Sequence, residues 1–214
     1  MYLIKIIYSL LDSGSGELTT TNSGTIEVAQ IGSAGIYAKN NGTNNTNSIV
    51  INSKLIEVKK ESSAAILGET STITNSGTGA NGIEISGESS AGILATKESE
   101  VTNSGRIEGN TGTKLVGISV DETSTVINSG SIIMNTAQNT GIASKGGQVT
   151  NSGTITLVKN NSTGISAENA DVINSAGAKI EVEAEDSVGI YAQMSGNVDK
   201  KVTNEGTISL KTNT

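Results

Sequence analysis

The sequence lacks five residue types altogether. Its 214 residues contain no Pro, Cys, His, Trp or Phe, and the only aromatic residues are four Tyr. Without Cys or His, the chain has no disulfide, no thiolate nucleophile, no imidazole base and none of the usual zinc, haem or iron–sulfur ligand sets. The scarcity of aromatic rings also removes the stacking platforms on which single-stranded nucleic acids and many sugars bind.

The charge balance is acidic and almost free of arginine. The 14 Lys and Arg residues against 21 Asp and Glu residues give a net charge of −7, and Arg106 is the only arginine. Such a chain is poorly suited to a phosphate backbone, so we expect no nucleic-acid partner. Ile, Val and Leu make up about a quarter of the residues, which is enough apolar material for an ordered core.

A short motif recurs along the whole chain, which is the signature of a repeat architecture. Asn-Ser-Gly-Thr-Ile, or a near copy of it, begins at eight asparagines: Asn22, Asn52, Asn75, Asn103, Asn128, Asn151, Asn174 and Asn204. A second element, Gly-Ile or Ala-Ile, follows each of the first seven copies, as at Gly35-Ile36 and Gly164-Ile165. The chain therefore consists of about eight copies of one structural unit.

Each copy has the pattern of short strands and turns. The segment Thr154-Ile155-Thr156-Leu157 alternates polar and apolar residues, and so does Gly164-Ile165-Ser166-Ala167. Alternation with period two, interrupted by Asn and Gly, is typical of strands rather than helices. Three short strands cannot bury their apolar sides alone, but stacked copies can. We predict an all-β, right-handed parallel β-helix of about eight coils, with three strands per coil and a length of roughly 35–40 Å at about 4.8 Å per coil.

The Asn and Gly residues that interrupt the strands are assigned to the corners of the coils. The repeated Asn is expected to adopt the left-handed region and to stack amide on amide along the axis. The following Gly is expected to provide positive φ and close backbone approach, and the Gly before the second Ile to fit a crowded corner. The absence of Pro keeps every strand able to donate its N–H groups to a neighbouring coil.

The first residues do not fit the repeat. We predict two regions, an N-terminal capping strand with a Gly/Ser linker over residues 1–19 and β-helix repeats over residues 20–214. A degenerate signal peptide is the alternative for Tyr2–Leu11, although this segment has no basic start and no small-x-small cleavage site, and is too short to span a bilayer. The last strand, Ile208–Leu210, is not followed by a Gly-Ile element, so we expect a piece of a longer protein.

The motifs resemble a known family. Val-Thr-Asn-Ser-Gly-Arg-Ile at Val101–Ile107 and Gly-Ile-Ser-Ala at Gly164–Ala167 are similar to the passenger repeats of type V autotransporter adhesins, in particular the Asn-Ser-Gly-rich fusobacterial type. The resemblance covers about residues 20–210. It implies display on the bacterial surface as part of a longer outer-membrane-anchored protein, a role in virulence, and adhesion to a protein or glycan of host cells or other bacteria.

Few residues suggest other chemistry. The densest acidic run, Glu181 to Asp186, is expected to place Glu181, Glu183 and Glu185 on one outward face, where a solvated surface is favoured over a cation site. Calcium-binding nonapeptide repeats are excluded because their Gly-Gly-x-Gly-x-Asp pattern does not recur. Irregular coil lengths also disfavour ice binding. The best candidates for partner contact are the polar loop Lys39–Ser48 and the outward-facing Tyr37 and Tyr191.

The sequence thus predicts a non-enzymatic adhesin segment that acts as a stiff stalk. We predict no catalytic, metal-binding or cofactor-binding residues, no cofactor, and no membrane insertion by this segment. Two alternatives stay open at this stage. One is a fragment of a carbohydrate-active β-helix enzyme, and the other is a structural protein that associates end to end.

Overall fold

The computed structural model describes residues 8–12, 18–40, 47–196 and 199–211, and for residues 8–12 it describes the backbone. Within these ranges the ordered elements are all strands. In chain order the strands are β1 Tyr8–Asp12, β2 Thr19–Asn22, β3 Ile26–Val28, β4 Ala34–Asn40, β5 Ser48–Asn52, β6 Ile56–Val58, β7 Ala64–Glu69, β8 Ser71–Asn75, β9 Ile83–Ile85, β10 Ala91–Thr96, β11 Glu100–Asn103, β12 Arg106–Gly109, β13 Val116–Val120, β14 Thr125–Asn128, β15 Ser131–Met134, β16 Thr140–Ser144, β17 Gln148–Asn151, β18 Thr154–Leu157, β19 Thr163–Glu168, β20 Asp171–Asn174, β21 Lys179–Val182, β22 Val188–Gln193, β23 Val202–Asn204 and β24 Thr207–Leu210.

These strands form three parallel eight-stranded sheets, each with one strand from every coil. Sheet A contains β1, β4, β7, β10, β13, β16, β19 and β22. Sheet B contains β2, β5, β8, β11, β14, β17, β20 and β23. Sheet C contains β3, β6, β9, β12, β15, β18, β21 and β24. The predicted parallel β-helix with three strands per coil is confirmed. Among the described residues, no helix is long and apolar enough to cross a membrane.

The N-terminal strand joins the solenoid at one edge. β1 pairs in parallel with β4 of sheet A, with Tyr8 opposite Ile36. Residues 1–7 of the predicted cap and the Gly/Ser stretch of the predicted linker lie outside the described residues. The division into residues 1–19 and 20–214 stays a prediction.

Columns of β-branched residues fill the interior. Each column takes one residue from every coil because parallel strands in register bring equivalent residues together. Sheet C contributes the isoleucines at Ile26, Ile56, Ile83, Ile107, Ile132, Ile155 and Ile180, which are all buried. Sheet A contributes Ile36, Ile66, Ile93, Ile118, Ile142 and Ile165, and sheet B adds a column of mainly valine from Val50 to Val172.

The eight repeated asparagines form one continuous column at the corner between sheets B and C. The amide Nδ2 of each one donates to Oδ1 of the next, and all seven bonds measure 2.7–2.8 Å. From Asn52 to Asn174 these side chains are fully buried. The predicted amide stacking is confirmed, and this asparagine column links every coil to its neighbours.

The predicted left-handed conformation at this corner is wrong. Neither the column asparagines nor the glycines of the Asn-Ser-Gly motif have positive φ. One set of left-handed residues lies two positions before the sheet A strands instead, at Gly32, Ser62, Ser89, Lys114, Gln138, Asn161 and Asp186. Others lie between sheets A and B, such as Thr70, Lys97, Glu98 and Asn169. At the asparagine corner, positive φ is found at Gly79, Gly82 and Gly177, in two copies with inserted residues. Three of the Asn-Ser-Gly glycines, Gly105, Gly130 and Gly153, meet a different need, because the backbone of the preceding coil approaches them closely. A Cβ atom on Gly130 would lie 2.1 Å from the carbonyl oxygen of Gly105.

The crowded corner predicted at the second glycine is confirmed. A Cβ atom on Gly141 would lie 2.6 Å from the carbonyl oxygen of Gly164 and 2.7 Å from Cγ2 of Ile155. Gly92, Gly117 and Gly164 meet the same obstacle from the next coil. The glycine lets adjacent coils keep their spacing while the isoleucine of sheet C packs beneath them.

The left-handed residues predict a stabilising substitution. Gln138 is exposed and has φ of 62°. Because a Cβ atom disfavours this conformation by roughly 1–2 kcal/mol, Gln138→Gly should raise the free energy of unfolding by up to about 1 kcal/mol, once the greater entropy of unfolded glycine is subtracted. Urea unfolding followed by circular dichroism measures the change. The control, Gln148→Gly in strand β17, should destabilise, and a loss of stability in both variants would contradict the prediction.

Candidate binding surfaces

The acidic run does not form a single outward face. Glu181 points outward from β21, and Glu183 follows it and accepts a hydrogen bond from Lys211 Nζ at 3.0 Å. Strand β21 ends at Val182, so Glu185 and Asp186 lie in the following turn and the prediction that Glu185 shares the strand face is wrong. Within the described ranges, no group of three or more acidic side chains is placed to hold a metal ion.

The two predicted tyrosines do face outward, at opposite ends of sheet A. They occupy the same outward row, whose members in register are Tyr37, Leu67, Leu94, Ser119, Ala143, Ser166 and Tyr191. Tyr191 is half exposed, and its hydroxyl donates to Gln193 Oε1 at 2.9 Å. Because five other coils separate the two rings, they do not belong to one contact surface. Of the predicted contact loop Lys39–Ser48, residues 41–46 lie outside the described residues.

A charged cluster around Glu69 joins three coils at the C-terminal ends of strands β4, β7 and β10 in sheet A. Glu69 accepts hydrogen bonds from the Lys97 ammonium at 2.6 Å and from the Tyr37 hydroxyl at 2.7 Å, and Lys39 Nζ lies 3.4 Å away. The Lys97 and Tyr37 hydrogen bonds lower the pKa of Glu69 from 4.5 to about 2, against the opposing effect of burial. The hydrogen bond to Glu69 raises the pKa of Tyr37.

We expect this cluster to make the free energy of unfolding depend on pH. At neutral pH, Glu69→Gln should lower the free energy of unfolding by about 1 kcal/mol, because solvent screens a partly exposed cluster. Since the folded-state pKa of Glu69 is depressed, its contribution is complete above about pH 4.5 and is lost as the pH falls towards about 2. Urea unfolding at a series of pH values should therefore show the two proteins converging in acid. Glu61→Gln, at an exposed corner, is the control, and a Glu69→Gln deficit that does not change with pH would contradict the prediction.

A row of glutamates runs along the outside of sheet C. Its members are in register on β3, β6, β9 and β12, at Glu27, Glu57, Glu84 and Glu108. Lys59 lies 2.8 Å from Glu27 and 3.5 Å from Glu57, and Arg106 forms ion pairs with both Glu84 and Glu108. The repeated Ile-Glu pair could have revealed this row in the sequence. The row engages the only guanidinium group of the chain in structural ion pairs.

A polar groove lies where sheet A turns into sheet B, across the second, third and fourth coils. Its volume is about 530 Å³, and two rows of side chains line it: Thr70, Glu98 and Thr123 at the corner, and Thr72, Glu100 and Thr125 on the strands. On the strands, Glu100 is in register with Thr72 of β8 and Thr125 of β14. Each row therefore places one carboxylate between two threonines.

Hydrogen bonds within the corner hold this polar groove in shape. The backbone N–H of Glu98 donates to Thr123 Oγ1 at 2.9 Å, and Asn47 Nδ2 donates to Thr72 Oγ1 at 3.3 Å. Behind the corner row, the buried Ser99 accepts a hydrogen bond from the Ser71 N–H at 3.0 Å. Sequence reasoning missed the groove because its two glutamates stand in unremarkable positions of one copy, and only the neighbouring coils bring the threonines beside them.

Comparison with protein families matches residues 44–169, more than half of the chain, to the BigA third pectate lyase-like domain. The chain belongs to this family. The matched BigA segment contains the polar groove and the coils from β5 to β19. No curated protein matches the chain. No solved structure matches it either.

Membership agrees with the fold, and it identifies the chain as a β-helical domain of a bacterial surface-protein family. The coarser part of the sequence prediction, a β-helical protein associated with the bacterial surface, is thereby confirmed. The BigA-type match does not extend to a particular secretion route, partner or activity.

Proposed function

We propose that this BigA-type domain is a non-enzymatic segment of a surface adhesin passenger, of the autotransporter kind. In this role the β-helix is a rigid stalk that holds contact surfaces away from the cell. It would be displayed as part of a longer outer-membrane-anchored protein and would bind a protein or glycan of host cells or other bacteria. The observation that carries the proposal is the uninterrupted asparagine column, which joins all eight coils by buried hydrogen bonds.

The stiffness of such a stalk has a direct physical origin. Bending the solenoid would separate neighbouring coils on one side by opening backbone hydrogen bonds, amide–amide bonds and apolar columns together. Side-chain amides in a buried column have no water to replace a lost partner, so each broken bond leaves an unsatisfied polar group. The three sheets therefore resist bending without a disulfide or a cofactor.

The placement of charged groups favours a stalk over a polysaccharide-cleaving enzyme. Such β-helix enzymes combine a carboxylate cluster with an arginine or lysine base on one face. Here Arg106 is held between Glu84 and Glu108, and its side chain is only 18% exposed. Lys59 is likewise paired with two glutamates. These ion pairs link coils and engage the arginine and this lysine in structural contacts.

Adhesion and cleavage can be tested side by side with the purified chain. Beads coated with the chain should bind cultured epithelial cells or other bacteria more than albumin-coated beads do. The same preparation, incubated with polygalacturonate with and without calcium, should release no unsaturated oligosaccharides. Cleavage that is lost when Glu181, Glu183, Glu185 and Asp186 are replaced by their amides would overturn the proposal in favour of an enzyme. Concentration-dependent fibres without cell binding would instead favour a self-associating structural protein.

A further inference from the structure

The polar groove carries negative charge that no described residue balances. Glu98 and Glu100 form no ion pair with any residue that the structure describes. The nearest ammonium along the chain, Lys97, is bound to Glu69 on the sheet A side of the corner at 2.6 Å. The carboxylate of Asp121 is already used by the corner, since it accepts hydrogen bonds from the Lys97 N–H and the Ser124 hydroxyl.

We infer that this groove binds a basic, extended peptide segment of a partner protein. The two carboxylates provide acceptors for lysine or arginine side chains, and hydrogen bonds of this kind are about twice as strong as those between neutral groups. The hydroxyls of Thr70 and Thr125 can both donate and accept, which suits the alternating N–H and C=O groups of an extended backbone. Those of Thr72 and Thr123 already accept hydrogen bonds within the corner.

The dimensions also suit a short peptide. Three coils at about 4.8 Å spacing give each row a length of roughly 10 Å, which is the span of about three extended residues. The volume of about 530 Å³ lies within the range of ligand-binding clefts. A sugar ring is disfavoured because none of the described residues that line the groove is aromatic and could stack against it.

This inference specifies the chemistry of a partner and rests on the proposed role as a surface binding protein. Its test is nevertheless separate from cell adhesion. Failure of coated beads to adhere would count against the adhesin role, whereas the peptide experiment examines the groove alone.

The test measures binding of a fluorescein-labelled peptide of alternating arginine and serine residues to the full chain by fluorescence anisotropy. The double variant Glu98→Gln/Glu100→Gln should raise the Kd by about tenfold. The matched control is Glu61→Gln/Glu185→Gln, which changes the net charge equally at exposed positions outside the groove and should leave the Kd within about twofold. Since all four glutamates are exposed, circular dichroism should show every variant folded.

A second variant tests the hydroxyl groups. Thr125→Val keeps the charge, the side-chain shape and the hydrogen bond from Asn47 to Thr72, and it should also weaken peptide binding. If Glu98→Gln/Glu100→Gln and Glu61→Gln/Glu185→Gln weakened peptide binding equally, the effect would come from the net charge alone, and the inference would be overturned. It would also be overturned by equal binding of a peptide of alternating glutamate and serine, or by binding of a chitosan tetramer in place of the basic peptide, which would assign the groove to an amino sugar.

Discussion

Asn128→Ala is expected to lower the free energy of unfolding by about 4 kcal/mol. The Asn128 side chain is fully buried, accepts a hydrogen bond from Asn103 Nδ2 at 2.7 Å and donates one to Asn151 Oδ1 at 2.7 Å. Alanine removes both bonds, so Asn103 loses an acceptor and Asn151 loses a donor. Each buried polar group left without a partner costs roughly 1–3 kcal/mol, and here two are created in the middle of the solenoid.

Asn204→Ala is the matched control, because Asn204 has the same position in the last copy of the repeat. It accepts one hydrogen bond, from Asn174 at 2.7 Å, but it is exposed, so water can replace the lost partner. Its loss should cost no more than about 1 kcal/mol. Urea unfolding followed by circular dichroism should separate the two variants clearly. A similar cost in both would show that burial of the asparagine column contributes little.

The second large effect is expected for Gly130→Ala, which should cost about 3 kcal/mol. The added methyl would lie 2.1 Å from the Gly105 carbonyl oxygen and 2.7 Å from the Ser104 carbonyl carbon, and both obstacles are backbone atoms. A backbone clash cannot be relieved by rotating a side chain, so adjacent coils must separate. Separation would strain the hydrogen bond from the Gly130 N–H to the Asn103 carbonyl, which measures 3.0 Å. The expected cost is at the upper end of that for overpacked interiors.

Gly24→Ala provides the control for this effect. Gly24 is the glycine of the first Asn-Ser-Gly motif, yet a Cβ atom there would meet nothing within 4 Å. Its replacement should change the free energy of unfolding by less than about 0.5 kcal/mol. Lys54 already occupies the equivalent position in the second copy. If Gly24→Ala proved as costly as Gly130→Ala, the effect would come from the local turn rather than from contact between coils.

Repeated features were predictable from the sequence, because repetition itself carries the information. When successive copies place the same residue at the same position, only one register of the strands brings these residues together. The Ile columns, the asparagine column and the outward tyrosines could therefore be predicted from spacing and alternation. Assigning left-handed backbone to the Asn-Ser-Gly corner failed because glycine serves two needs that look identical in a sequence. At Gly130 the need is close approach between coils, while residues such as Gln138 and Lys114 adopt the left-handed conformation without being glycine.

Features formed between unlike copies were not predictable. The Glu69 cluster takes Tyr37 and Lys39 from the coil before Glu69 and Lys97 from the coil after it, and the polar groove sets Glu98 and Glu100 among threonines of the coils before and after. Each of these residues stands in a different context within its own copy. Nothing in the linear pattern shows which side chains will be neighbours across the coils.

The sequence alone therefore determined the parallel β-helix and the residues of its core, because each copy can bury its apolar side only against an equivalent copy. The sequence alone also shows the lack of Pro, Cys, His, Trp and Phe, which excludes whole classes of chemistry whatever fold the chain adopts. The tertiary structure decided which glycines are sterically required, which charges are paired and where unpaired carboxylates meet hydroxyls. Those properties depend on distances of 2–4 Å between residues more than 20 positions apart, which only the stacked coils specify.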